Sequence, residues 1–160
     1  MNRHYAMLGL IAVLAPFAVR AAVVNGTAAK VPVYQARGAT EIAAAGPLAP
    51  SLQGKPVVVR IHADWCPACK ATQSTIDDLK QAYAGKINFV QFDVTNGKTA
   101  AAAQVEAQSL GLEQFYNASK AATSTVAVID PQDGKIYATL YNDGNIADYK
   151  LAIDNALKAE

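Results

Sequence analysis

Cysteine is scarce in this chain: two occur in 160 residues, alongside two histidines, two methionines and one tryptophan. So few thiols exclude the dense disulfide framework that holds many small exported domains together. A tetrahedral metal site takes about four ligands and would here require a second copy of the chain. Charge is sparse as well, at 17% of residues with a formal net charge of +1, against about 25% charged residues in an average globular domain. Scattered, nearly balanced charge leaves no electrostatic footprint for nucleic acid or for an anionic membrane surface. No apolar run approaches the roughly 20 residues that a membrane-spanning helix needs. There are no internal repeats and no low-complexity tract beyond a bias toward alanine.

The main apolar run, Leu8 to Val19, is 12 residues long and interrupted by Pro16. Arg3 and His4 precede it, and Val19-Arg20-Ala21 places small residues around a cleavage point. This pattern reads as a signal peptide over residues 1–21, the alternative being an uncleaved anchor. Cleavage after Ala21 would leave 12 basic and 13 acidic residues, a mature chain of charge −1 with no membrane association. Residues 22–54 read as an irregular lead-in packing on the domain that follows. It carries a strand candidate from Val31 to Gln35, an alanine-rich stretch from Thr40 to Ala45, and Gly46, Pro47, Pro50 and Gly54 as breakers. Its expected role is to cover a sheet edge.

Beyond Gly54 the pattern sharpens. Val57 to Ile61 is a β-branched run of the kind expected for a strand buried on both faces. Thr72, Ile76, Leu79 and Tyr83 share a helical period, which predicts a helix from Pro67 to about Tyr83, with proline favoured at its first position. A second buried strand is expected over Ile87 to Val94, followed by a helix from Lys98 to Leu110 that Gly111 ends. Residues 113–122 read as a polar connection. Thr125 to Asp130 and Lys135 to Tyr141 form a hairpin around Pro131-Gln132-Asp133-Gly134, and Ile146 to Leu157 forms a closing amphipathic helix. Parallel crossovers followed by a terminal hairpin imply an α/β class with a central mixed β-sheet flanked by helices on both faces.

The two cysteines stand in Trp65-Cys66-Pro67-Ala68-Cys69-Lys70, where a strand runs into a helix. There the first thiol faces unpaired N–H groups that favour its thiolate, which makes Cys66 the nucleophile of a disulfide exchange and Cys69 the resolving thiol. Pro67 stiffens the loop, and Trp65 offers an apolar contact to an extended substrate. Two plainer readings compete: a structural disulfide, which in so short a loop constrains the unfolded chain little, and metal binding, for which only His62 would remain as a further soft ligand after signal removal.

From Val57 to Lys70, and again at Gln91-Phe92-Asp93-Val94-Thr95, the sequence resembles the thioredoxin superfamily. Within it the segment is most similar to the periplasmic thioredoxin-like C-terminal domain of the transmembrane electron transporter DsbD. The resemblance covers roughly residues 55–157. It implies a thioredoxin-like fold for residues 55–160 and thiol–disulfide oxidoreductase chemistry; no cofactor is expected, and the signal peptide points to periplasmic or secreted localisation. The resemblance further implies protein disulfide or dithiol substrates, a membrane electron transporter as a candidate electron source, the reductase direction over the oxidant one, and a monomer.

Two departures qualify the resemblance. Thioredoxins carry a cis-proline beside the thiols, and the matching place between Thr123 and Thr125 is Ser124. A non-proline cis bond costs about 2.5–4 kcal/mol, so the Thr123–Ser124 bond is expected to be trans or the loop remodelled. The exchange also supports an alternative class: a non-catalytic thioredoxin scaffold that binds a client, a metal or an iron–sulfur cluster through its cysteines. The second departure is Arg60, where thioredoxins commonly place a buried carboxylate. Either this cation favours the thiolate and raises the reduction potential, or it points to a sheet surface or pairs with an acid such as Asp93. His62 and Asp64 are candidates for proton relay or for packing alone.

Overall fold

The computed structural model describes residues 46–159. The signal-peptide segment, the strand candidate at Val31–Gln35 and the stretch from Thr40 to Ala45 lie outside them.

Four strands, β1 (Val57–His62), β2 (Asn88–Asp93), β3 (Thr125–Ile129) and β4 (Ile136–Tyr141), form one sheet in the order β2-β1-β3-β4. β1 runs parallel to β2 and antiparallel to β3, and β3 and β4 make the antiparallel hairpin. This is the mixed sheet the sequence implied. The β1–β2 crossover holds α1 (Pro67–Ala71) and α2 (Gln73–Ala82); α3 (Gly97–Leu110) and α4 (Glu113–Ser119) join β2 to β3, and α5 (Ile146–Ala159) closes the fold.

Period-two alternation on the central strands builds a core on each face. Val57, Val59, Ile61, Val90, Phe92, Ala127 and Ile129 pack with residues of α3 and α4, while Val58, Val126, Val128 and Leu140 pack with Ile76, Leu79, Tyr149 and Ile153 of α2 and α5. Helices therefore cover both faces. Truncating Ile76 or Leu79, both fully buried, to alanine would cost about 2–5 kcal/mol.

Four details differ from the sequence reading. The helix after the cysteines is broken at Thr72, whose φ of −91° and ψ of 0° separate α1 from α2. The Thr72 hydroxyl donates to the carbonyl of Ala68 at 2.9 Å, a back-bond of the kind that bends helices. Among the described residues β2 pairs with β1 alone and is only half-buried, with Gln91 exposed. The polar connection contains α4, because Leu112, Phe115, Tyr116 and Ser119 recur at helical spacing and are all buried. Tyr116 meets Phe92 edge-on at 5.3 Å and donates to the carbonyl of Ala100. Arg60, finally, neither reaches a sheet surface nor pairs with Asp93. It is fully buried, on the face of β1 that packs against α1 and α2.

Of the lead-in, residues 46–54 are described. Leu48 and Leu52 enter the core beside α3 and α4, and the N–H groups of Leu48 and Ala49 donate to the carbonyls of Pro131 and Leu110. Gln53 adds side-chain bonds to the carbonyls of Leu48 and Pro131, and Asn88 at the sheet edge donates to the carbonyl of Leu52. No described helix is long and apolar enough to cross a membrane.

Candidate active site

β1 ends at His62, and three residues later the chain turns into α1 with Cys66 as its N-cap. An N-cap side chain normally offers an oxygen to the N–H of the third helical residue. Here the acceptor is sulfur: Cys66 Sγ takes the N–H of Cys69 at 3.1 Å, and Pro67 occupies the first helical position, where it forfeits no bond. Ala63, Ala68 and Val94 pack around the two free thiols. Cys66 retains 3% exposure and Cys69 none, so only the first sulfur borders solvent.

The environments drive the two thiols apart. Burial alone would raise Cys66, but hydrogen bonds from the Cys69 thiol, the Thr123 hydroxyl and the backbone N–H groups of Cys69 and Ala68 outweigh it and hold the thiol below its ordinary value. Cys69 is pushed up, first by burial and then by donating to Cys66; its sulfur otherwise lies 3.9 Å from the carbonyl of Ile61. One thiol is primed and the other held in reserve.

The structure brings Trp65, Pro67, Thr123 and Ser124 together with this pair. Trp65 is 60% exposed, yet its indole N–H donates to the carbonyl of Thr95 at 2.9 Å, so the ring is presented in a fixed pose. Thr95 also accepts the N–H of Asp64 through its hydroxyl and donates its own N–H to Asp93. The sequence offered no sign that Thr95 ties the β1–α1 loop to the end of β2, because the two segments lie some thirty residues apart. Burial would raise the Asp93 carboxyl, but hydrogen bonds from Thr95 and Thr99, together with the electrostatic influence of His62, hold it below its usual value. His62 places Nε2 3.1 Å from Asp64, while its Nδ1 is buried with no partner among the described residues.

Ser124 answers the question of the missing proline. None of the described peptide bonds is cis, and Ser124 adopts φ +70°. Its N–H donates to the carbonyl of Ile61 at 2.9 Å, its own carbonyl accepts from Asn142, and its hydroxyl meets that of Thr72 at 3.5 Å. Asn142, at φ +51°, is the only other described non-glycine residue in the left-handed region. The loop is thus trans and remodelled, held from β1, from the end of β4 and from the helix break. Thr72 and Asn142, which do this holding, were not legible as site residues. Among the described residues no group of three or more histidine, cysteine or acidic side chains is placed to hold a metal ion.

Fold and site together define a dithiol protein: a strand-to-helix turn carries one activated and one buried thiol beside a β-hairpin. The thioredoxin family model matches residues 49–133, more than half of the chain, and the chain belongs to the thioredoxin family. It is similar to the thiol:disulfide interchange protein TxlA homolog of Synechocystis sp., 42% identical over 53 residues, which are 32% of this chain and 29% of that protein. It is also similar to the chloroplastic thioredoxin-like protein HCF164 of Arabidopsis thaliana, 42% identical over 45 residues, or 28% of this chain and 17% of the relative. The matches therefore span less than a third of these relatives' length. Among solved structures, oxidised mitochondrial thioredoxin 3 of Saccharomyces cerevisiae aligns with a TM-score of 0.43 and 22% identity over 65% of this chain and 81% of its own.

Proposed function

We propose that the protein is an exported thiol–disulfide oxidoreductase, periplasmic or secreted, that exchanges disulfides with protein partners and works in the reductive direction. One observation carries this reading: the asymmetry between Cys66, whose sulfur accepts the Cys69 N–H and whose thiol is held below its ordinary value, and Cys69, buried behind it with its thiol pushed up. In the first step the Cys66 thiolate attacks a substrate disulfide, its S–S bond breaks, and the departing substrate sulfur takes a proton from solvent. Cys69 then attacks Cys66 Sγ of the mixed disulfide, the Cys66–Cys69 bond forms, and the Cys69 proton goes to the second leaving sulfur. The substrate gains two thiols and two electrons while the pair becomes a disulfide. A membrane electron transporter is the proposed source of the electrons that reset it. The relatives, a thiol:disulfide interchange protein among them, support the chemistry.

The residues around the pair support roles in substrate binding: Trp65 as a fixed apolar platform, Thr123 as the hydroxyl beside Cys66, and Ser124 as the hinge of the facing loop. Insulin reduction by the purified protein tests the activity, and Cys69→Ser should accumulate a mixed disulfide through Cys66 with an exported protein. Absence of both turnover and a trapped species overturns the reading. The remodelled Ser124 loop favours a second reading, a non-catalytic scaffold that holds a client, metal or cluster through the thiols. An inactive protein with visible absorption would establish that one instead.

A further inference from the structure

Arg60 sits in the middle of β1, fully buried. Its Nη2 donates to the carbonyl of Cys69 at 2.8 Å, and its Nη1 to Gln73 Oε1 at 2.8 Å and to Gln91 Oε1 at 3.5 Å. Nε has no partner among the described residues. All these acceptors are neutral, and the ion pair found among the described residues, His62 with Asp64, does not include Arg60. A guanidinium stays protonated in proteins, and a buried charge is ordinarily matched by an opposite one.

The groups around Arg60 that can become anionic are few. On α5, Tyr149 donates its hydroxyl to the carbonyl of Asp143 at 2.6 Å, and its pKa is pushed up to about 12, first by burial and then by Asp143, with Arg60 opposing. It stays neutral at ordinary pH. From α1 the other is Cys69, whose carbonyl Arg60 already holds and whose thiolate Arg60 favours. On α2, Gln73 interposes its amide between Arg60 and Asp77, accepting from the first and donating to the second at 3.0 Å.

We infer that Arg60 is a positioning residue for the resolving step: a fixed cation, without a carboxylate partner among the described residues, whose counter-charge is generated only when Cys69 becomes a thiolate. The inference rests on the proposed function in taking Cys66 and Cys69 as the redox couple. During resolution the Cys69 sulfur must first give up its proton and become a thiolate; as it attacks Cys66 Sγ and the bond from Cys66 to the substrate breaks, the charge passes to the departing substrate sulfur, which takes the proton, and Arg60 stabilises the transient Cys69 thiolate through the turn it grips. The same field stabilises the dithiol form against the disulfide, so the couple is less strongly reducing than it would be without Arg60. Gln73 matters because an acid in its place would neutralise the cation.

The alternative is that Arg60 only staples the helix break by filling the Cys69 carbonyl. Gln73→Glu separates the two, since it leaves Arg60 and its bond to Cys69 in place while pairing the charge. The equilibrium constant of the Cys66–Cys69 couple against glutathione should shift about tenfold toward the disulfide in Gln73→Glu and in Arg60→Met, about 30 mV more negative. Arg60→Lys should stay near the wild type, and the mixed disulfide should persist longer in the two shifted variants. An equilibrium constant within twofold of the wild type in Gln73→Glu overturns the inference, even if Arg60→Met shifts or fails to fold. Insulin reduction by the wild type is scored separately: its absence with the shift intact removes the proposed activity and leaves the role of Arg60 standing.

Discussion

The backbone N–H of Cys69 donates to the sulfur of Cys66 across 3.1 Å, so the buried cysteine of the proposed redox pair helps to hold the other thiol below its ordinary value. Because that bond comes from the main chain, it survives replacement of the Cys69 side chain.

Alkylation with iodoacetamide should therefore be strongly site-selective. Cys66 is expected to react with a midpoint below the ordinary thiol value of about 8.5, and Cys69 to stay unmodified until well above it or until the chain unfolds. In Cys69→Ala the main-chain bond remains but the thiol donor is lost, so the Cys66 midpoint should rise toward the ordinary value. Mass spectrometry of chains quenched at a series of pH values reads both; equal labelling of the two sulfurs would contradict the asymmetry.

Ser124 offers a backbone test. At φ +70° it occupies a region that costs a non-glycine residue roughly 1–2 kcal/mol, and its N–H is bonded to Ile61. Ser124→Gly relieves the first at the loss of a long hydroxyl contact and should leave stability within about 1 kcal/mol of the wild type. Ser124→Pro cannot reach this φ and removes the donor, so a loss of about 3 kcal/mol or more is expected in urea unfolding. A fully stable proline variant would show that the loop is not held as described.

At Gly111 the C-terminus of α3 turns at φ +75°, and an added Cβ would lie 3.3 Å from Leu48 Cα. Gly111→Ala should cost about 1–2 kcal/mol from the backbone alone. At roughly 4–8 °C per kcal/mol for a small domain, calorimetry should show a clear fall in Tm. An unchanged Tm would mean that the turn does not hold the left-handed backbone described.

Alkaline stability follows from Tyr83, whose hydroxyl donates to Asp154 at 2.7 Å. Burial, then Asp154, push its pKa from 10.0 up to about 12. A phenol raised in the folded state stabilises fully below its unfolded value and loses that contribution as pH climbs to the folded one. Stability should thus fall between about pH 10 and 12, and Tyr83→Phe should flatten part of that slope. Denaturant midpoints measured across the window decide it; identical slopes would remove Tyr83 from the account.

Much of this protein was legible in its residues. The β-branched run at Val57–Ile61, the hairpin around Gly134 and the capped helix before Gly111 are local patterns, and local sterics and hydrogen bonding suffice to set them. The motif from Trp65 to Cys69 likewise declared a reactive pair, because strand-to-helix placement follows from neighbouring residues. Helix α4 was hidden by its polar outer face, although Leu112, Phe115, Tyr116 and Ser119 carried the period.

What depended on residues distant in sequence was decided by the tertiary structure. Sheet order placed β2 at the end of the described sheet, since nothing within Asn88–Asp93 says which strands will pair with it. The reach of Ile61, Thr72 and Asn142 to Ser124 set that residue's left-handed backbone. Burial against α1 and α2, with amides and a carbonyl as its hydrogen-bond acceptors, left Arg60 a cation without a carboxylate partner among the described residues. The sequence by itself determined that two thiols would meet at the head of a helix, because four consecutive residues and their secondary structure place them there. Only the folded chain decided which distant side chains bond the first sulfur and what charge lies behind the other, because fields and hydrogen bonds act through space and not along the backbone.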